Sequence, residues 1–236
     1  MSIWSRIGEV LARLPGAGAA GAVIDRIAEV VRGTFGTEAR RQVAFTVSMI
    51  ALSAKMAKAD GVVSPNEIAA FERLFVVPRG ERRNVERLFR LAMQDVAGYD
   101  VYARRIRDLH SDDCDILCDI LDGLFSITTA DGLVHEREIA FLAHVAELFG
   151  FSAAAFERIK ARHVAPSPGD PFVVLGLPRG SSAAEIKRQY RQLVGETHPD
   201  RMIARGVPPE FVALANRRLA AINVAYAQVI KELQAA

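Results

Sequence analysis

An eleven-residue string occurs twice in this chain, 71 residues apart, and it limits the fold more than any other feature. Ala59-Asp60-Gly61-Val62-Val63-Ser64-Pro65-Asn66-Glu67-Ile68-Ala69 returns as Ala130-Asp131-Gly132-Leu133-Val134-His135-Glu136-Arg137-Glu138-Ile139-Ala140, with seven positions identical. Each copy lies between two stretches of helical periodicity: 41–58 and 65–76 for the first, 113–129 and 136–149 for the second. The unit is helix, Asp-Gly turn, helix, used twice. Gly61 and Gly132 suit a left-handed helix end. Ser64-Pro65-Asn66-Glu67 is a capping box with proline at the first helical position. Between the copies, 81–91 and 101–109 read as Arg-rich helices. No convincing period-2 pattern competes, and Phe172–Leu177 is too brief to imply a sheet. The expectation is an all-α chain: a helical bundle with an internal repeat, followed by a small helical hairpin.

The hairpin occupies the last 67 residues. Ser182 with Glu185 three residues on starts a helix near 183. Ile186, Tyr190, Leu193 and Thr197 fall on one face, and Lys187, Arg188 and Arg191 fall on the other. Pro199 disfavours helical backbone at His198, so the helix should end there. His198 and Asp200 are then expected in an exposed turn. A second long helix should run from about Pro209 to Leu233, with Phe211, Leu214, Leu219, Ile222, Tyr226 and Ile230 in its apolar set. Two antiparallel helices with a polar turn and a basic outer face make a platform for an acidic protein partner.

The string His198-Pro199-Asp200, set between these helices, resembles the motif of a J domain, the part of DnaJ-type co-chaperones that stimulates Hsp70 ATPases. The resemblance covers about 170–232. It implies that His198, Pro199 and Asp200 engage the Hsp70 nucleotide-binding domain near its interdomain linker, with Lys187, Arg188 and Arg191 making charge-steered contacts. The longer string from His198 through Arg201, Gly206 and Pro209 to Glu210 resembles the DnaJ-like protein A subgroup. That family often has an aromatic or histidine where this chain has Thr197, and a base near Glu196. Gly195 also weakens the helix end. The repeated Asp-Gly turn resembles the TerB-like helical domain, named from tellurite-resistance proteins, and the pairing of the two matches the same subgroup. The expected organisation is an N-terminal extension (1–33), a TerB-like domain (34–163), a linker (164–170) carrying Pro166, Pro168 and Gly169, and a J domain (171–236).

Composition is that of a globular protein: half hydrophobic, a quarter charged, net charge +2. Residues 170–236 hold nine Lys/Arg against six Asp/Glu. The near-neutral net charge and the sparse aromatics of the Arg-rich 79–107 stretch argue against a nucleic-acid partner. No nucleophile–base motif or phosphate-binding glycine loop points to an enzyme. Cys114 and Cys118, four apart, suit neither a disulfide nor a zinc site and read as buried thiols in a reducing compartment. The longest uncharged N-terminal run, Leu14 to Ile24, is eleven residues. A spanning helix needs ~20, so no transmembrane helix is expected. Residues 1–33 read either as a loosely packed extension or as an interfacial helix anchored by Trp4. The expected location is cytoplasmic, with a peripheral place at the inner membrane left open.

Two readings remain open for the acids of the repeat. Asp60, Glu67, Asp131 and Glu138 form either a shared Ca²⁺ or Mg²⁺ site, as the TerB resemblance implies, or a set of helix caps. No cofactor is required. The acidic stretch from Asp108 to Asp122 is read as solvated or paired with the Arg-rich stretch before it, or as docking on the basic helix of the hairpin and masking it. The resemblance implies a Gram-negative source, a non-enzymatic co-chaperone, Hsp70 (DnaK) as partner and client proteins held by the TerB-like domain. The alternative is a TerB-type metal- or membrane-associated sensor or scaffold with the J domain as a secondary tether.

Overall fold

The computed structural model describes residues 2–14, 23–59, 71–72, 77–95, 97–111, 113–129, 135–163 and 170–235. Every regular element among them is helical, as expected. The larger unit holds α1 (Ile3–Arg13), α2 (Val23–Thr34), α3 (Thr37–Ala59), α4 (Arg82–Gln94), α5 (Tyr99–Leu109), α6 (Cys114–Thr128), α7 (Glu136–Phe149) and α8 (Ala153–Lys160). The smaller holds α9 (Pro171–Leu175), α10 (Ala183–Thr197), α11 (Pro199–Arg205), a 3-10 turn (Pro209–Phe211) and α12 (Val212–Ala235).

α3 is the axis of the larger unit, with α1, α2, α4, α5, α6 and α7 packed around it. From Val43 to Ala57 every side chain is buried, so the helix has no polar stripe. Its polar residues turn back on the helix itself. The hydroxyls of Thr46, Ser48 and Ser53 donate to the carbonyls of Gln42, Ala44 and Met49 at 2.9, 2.7 and 2.6 Å. The buried Lys55 ammonium donates to the Asp95 carbonyl at 3.0 Å and lies 4.5 Å over the Tyr102 ring.

Residues 1–33, read from sequence as an extension, contribute two helices to this core. Ile3, Trp4, Ile7, Val10 and Leu11 of α1 are buried, as are Val23, Ile24, Ile27 and Val31 of α2. Trp4 is 1% exposed and its ring lies 5.8 Å from that of Phe211. The apolar face of α1 is therefore spent on packing, and Trp4 is not placed to anchor a membrane. Among the described residues no helix is long and apolar enough to cross one.

The smaller unit has its own core of Phe172, Leu175, Ile186, Ile222, Ala225 and Val229. Tyr190 of α10 stacks on Tyr226 of α12 with ring centroids 4.0 Å apart. In place of a strand at Phe172–Leu177 stands the short helix α9 (Pro171–Leu175), capped by Asp170 and closed by left-handed Gly176. The residues between α10 and the middle of α12 do not join this core. Met202, Val207, Phe211, Leu214 and Ala215 belong instead to the core of the larger unit.

His110, at the end of α5, is 5% exposed, and its Nε2 has no hydrogen-bond partner among the described residues. Burial pushes its pKa down to about 4. The unfolded chain takes up this proton below about 6.5 and the folded chain only below about 4, so the stability present above 6.5 is lost as pH falls through that window. Carboxyl groups titrate in the same range but act equally on a His110→Leu variant. The stability advantage of the wild type over that variant should shrink by about 3 kcal/mol from pH 7 to pH 4, read by urea unfolding at each pH. An advantage independent of pH would contradict it.

Candidate functional site

α10 begins where its capping box predicts. The Ser182 amide donates to Glu185 Oε2 at 2.8 Å, and the Glu185 amide donates to Ser182 Oγ at 3.3 Å. Apolar residues turn Ile186, Tyr190 and Leu193 toward α12 and leave Lys187, Arg188 and Arg191 exposed. Among the described residues none of these three bases has an ion-pair partner within 4.0 Å.

The helix stops at Thr197 because Pro199 holds His198 in extended backbone, φ −58° and ψ 134°. A new helix starts at once. His198 is the N-cap of α11: its Nδ1 accepts from the Asp200 amide at 3.2 Å. Pro199 takes the first helical position, where a missing N–H costs nothing. Asp200 sits in the first turn, where the helix dipole favours an acid. The tripeptide is thus a helix-starting corner rather than an open turn. It holds the His198 and Asp200 side chains exposed, with Nδ1 3.5 Å from the Asp200 carboxylate. Thr197 is fully buried beneath the corner, and the Glu196 side chain accepts from Gln192 at 2.8 Å. Arg201, exposed in the first turn of α11, stands beside the motif.

The acids of α6 do not meet the basic face of α10. Asp119 is 1% exposed and accepts from Arg205 at 2.9 Å and from Arg218 at 3.1 Å. Asp122 accepts from Arg162 at 3.0 Å, lies 2.7 Å from His163 Nε2, and is 3.5 Å from Arg218. Phe125 stacks on the His163 ring at 5.3 Å. Arg205 closes α11 and Arg218 lies on α12, so α6 grips the smaller unit from behind its motif. Desolvation pushes the Asp119 carboxyl up to about 6 against the pull of Arg218 and Arg205. Desolvation acts on Asp122 too, but Arg162, Arg218 and the His163 hydrogen bond outweigh it and hold that carboxyl below the usual range. Both carboxylates are paired, Asp119 with Arg205 and Arg218 and Asp122 with Arg162 and His163.

At Asp119 and Asp122 this arrangement replaces both solvation and docking on α10, while Asp108 and Asp115 stay exposed as the solvated reading expects. Asp115, Asp119 and Asp122 stand at i, i+4 and i+7 on one face of α6, so their spacing reads as an ordinary polar stripe and carries no sign of partners 86 and 99 positions away. Cys114, expected to be buried, is exposed, and Cys118 is partly buried; both are free thiols.

Of the four acids of the repeat, Asp60, Glu67 and Asp131 lie outside the described residues. Glu138 is described: its carboxylate accepts from the His135 amide at 2.9 Å, as in a helix cap.

Two family models match the chain: Tellurite resistance protein TerB over residues 46–161, and DnaJ domain over residues 170–232. The chain is similar to the Co-chaperone protein DjlA of Photobacterium profundum, 29% identical over 232 residues that cover 85% of this chain and 83% of that protein. The Co-chaperone protein DjlA of Vibrio cholerae is 29% identical over 236 residues, with the same coverage. That of Escherichia coli (strain K12) is 26% identical over 267 residues covering 98% of each chain. No solved structure matches.

Proposed function

Starting from a chain that matches a TerB model followed by a DnaJ domain model and is similar to proteins named Co-chaperone protein DjlA, we propose that it recruits an Hsp70 (DnaK) and stimulates its ATP hydrolysis. The observation that carries this reading is the corner at His198-Pro199-Asp200. It is exposed, capped by the Asp200 amide–His198 Nδ1 hydrogen bond, and follows the helix whose bases Lys187, Arg188 and Arg191 have no ion-pair partner among the described residues. The bases steer an acidic surface toward the helix face by long-range attraction. Once docked, the His198 imidazole and the Asp200 carboxylate offer hydrogen-bonding groups that α11 already holds in place, so little ordering entropy is lost on binding. The bond-breaking chemistry belongs to the Hsp70; this chain supplies contacts. The TerB domain supplies client, metal or partner binding in this reading.

Single-turnover ATP hydrolysis by DnaK, with the full chain and with its His198→Gln variant, tests the proposal. The full chain should accelerate hydrolysis. The variant, losing a central contact worth about 2 kcal/mol or more, should need ~30-fold higher concentration or give no stimulation. Glutamine keeps a polar side chain at the N-cap, so the circular dichroism spectrum should be unchanged. Equal stimulation by both proteins would remove the assignment.

A further inference from the structure

The His-Pro-Asp corner lies where two cores meet. α10 before it is seated on the core of the smaller unit through Ile186, with Tyr190 and Leu193 packed against that core. The helix after it is seated on the other. Met202 is 1% exposed within the larger unit's core, and Val207 and Phe211 are fully buried there. The Phe211 ring lies 5.1 Å edge-on from Phe45 of α3 and 5.8 Å from Trp4 of α1. Gly206 ends α11 with φ +103°, and a Cβ there would lie 2.5 Å from the Arg41 side chain of α3.

Arg205 links these pieces. One guanidinium nitrogen donates to the Glu196 carbonyl at the end of α10 and to Asp115 of α6, both at 3.4 Å. The other donates to the buried Asp119 at 2.9 Å. The angle between α10 and α11, and so the placement of His198 against Lys187, Arg188 and Arg191, is bridged by one arginine whose buried partner belongs to the other domain. Arg218 closes the arrangement by joining the same carboxylate to α12 at 3.1 Å.

We propose that Asp119 of the TerB domain is a positioning residue for the His-Pro-Asp corner, acting through Arg205, so that the TerB domain sets the geometry with which the J domain meets its partner. This rests on the Hsp70 reading above only for its consequence; the geometry itself stands on the contacts. When Asp119 loses its charge, its ion pair with Arg205 is lost, and beyond the seating of Met202 and Val207 the polar tie between α10 and α11 is reduced to two long bonds, to an exposed carboxylate and a carbonyl. The corner then samples other orientations. A partner that needs one orientation sees its apparent affinity fall in proportion to the fraction still competent. The maximal effect returns at saturation, because binding re-selects that orientation.

The test uses the full chain, with Asp119→Asn, Arg205→Met, Arg205→Lys and, as a control of general destabilisation, Val145→Ala in the core of α7. Two measurements are made: amide hydrogen exchange, and stimulation of single-turnover ATP hydrolysis by DnaK as a function of co-chaperone concentration. Asp119→Asn and Arg205→Met should speed exchange over 198–206 by about tenfold while α3 stays protected. Both should raise the concentration for half-maximal stimulation by about tenfold with the maximum kept. Arg205→Lys, which keeps a charge for Asp119, should recover most of the loss. Val145→Ala should leave the half-maximal concentration unchanged. Wild-type exchange over 198–206 in Asp119→Asn overturns the inference, as does a Val145→Ala shift equal to that of Asp119→Asn. If the wild type fails to stimulate DnaK while exchange over 198–206 rises in Asp119→Asn, the Hsp70 reading falls and the positioning of the corner by Asp119 stands.

Discussion

Replacing Phe211 with alanine should lower the unfolding free energy by about 4 kcal/mol, the cost of emptying a fully buried aromatic site. Phe211 is 0% exposed and lies within ring distance of Trp4 and Phe45. Little backbone freedom exists around it for the cavity to collapse, because α3 is buried on all sides. The loss should be shared by both units. Phe211 sits at the foot of α12, whose later residues Ile222, Ala225 and Val229 build the core of the smaller unit. Urea unfolding followed by circular dichroism, and by Trp4 fluorescence, should show one transition shifted in midpoint and alike for the two probes. A change under about 1 kcal/mol would show that the post-motif segment is not seated as described.

Asp122→Asn should be nearly as severe, about 3 to 5 kcal/mol, for an electrostatic reason. Asp122 is 3% exposed and takes hydrogen bonds from Arg162 and His163, with Arg218 at 3.5 Å. Asparagine keeps the volume but removes the charge, leaving two nearly buried guanidiniums with less compensation. Their Nε atoms already have no partner among the described residues. The penalty is therefore the desolvation of cations left behind rather than the worth of one bond. Unfolding in urea at neutral pH reads it directly. A loss within about 0.5 kcal/mol, as for an exposed pair, would contradict the burial of this cluster.

Local chemistry was legible from the residues alone; long-range pairing was not. The start of α10 at Ala183 follows from Ser182 and Glu185, its end from Pro199, and the helical run from Pro209 from the spacing of Phe211, Leu214 and Ile222. Each of these signals acts within four residues or repeats with the helix period. α11 escaped notice because its seven residues are too few for periodicity to show, although Pro199 at its start and Gly206 at its end are the marks of a short helix. The partners of Asp119 stand 86 and 99 positions away, a separation that no local pattern carries. Residues 1–33 looked loose because Pro15 and the glycines after it interrupt the apolar stripe. The stripe itself, Ile3, Trp4, Ile7, Val10 and Leu11, is the face that α1 buries. In the candidate site, the exposed bases and the motif were readable, and the buried acids that hold the corner from the other domain were not.

Hydrogen exchange of the full chain, alone and with ATP-bound DnaK, tests the central claim most directly: the face of α10 and the His198 corner form the surface that meets an Hsp70. The account predicts slowed exchange over 183–206, centred on the corner and on the α10 turns carrying Lys187, Arg188 and Arg191, with α2 and α7 unchanged. Protection absent from 183–206, or confined to the helices of the TerB domain, would contradict it.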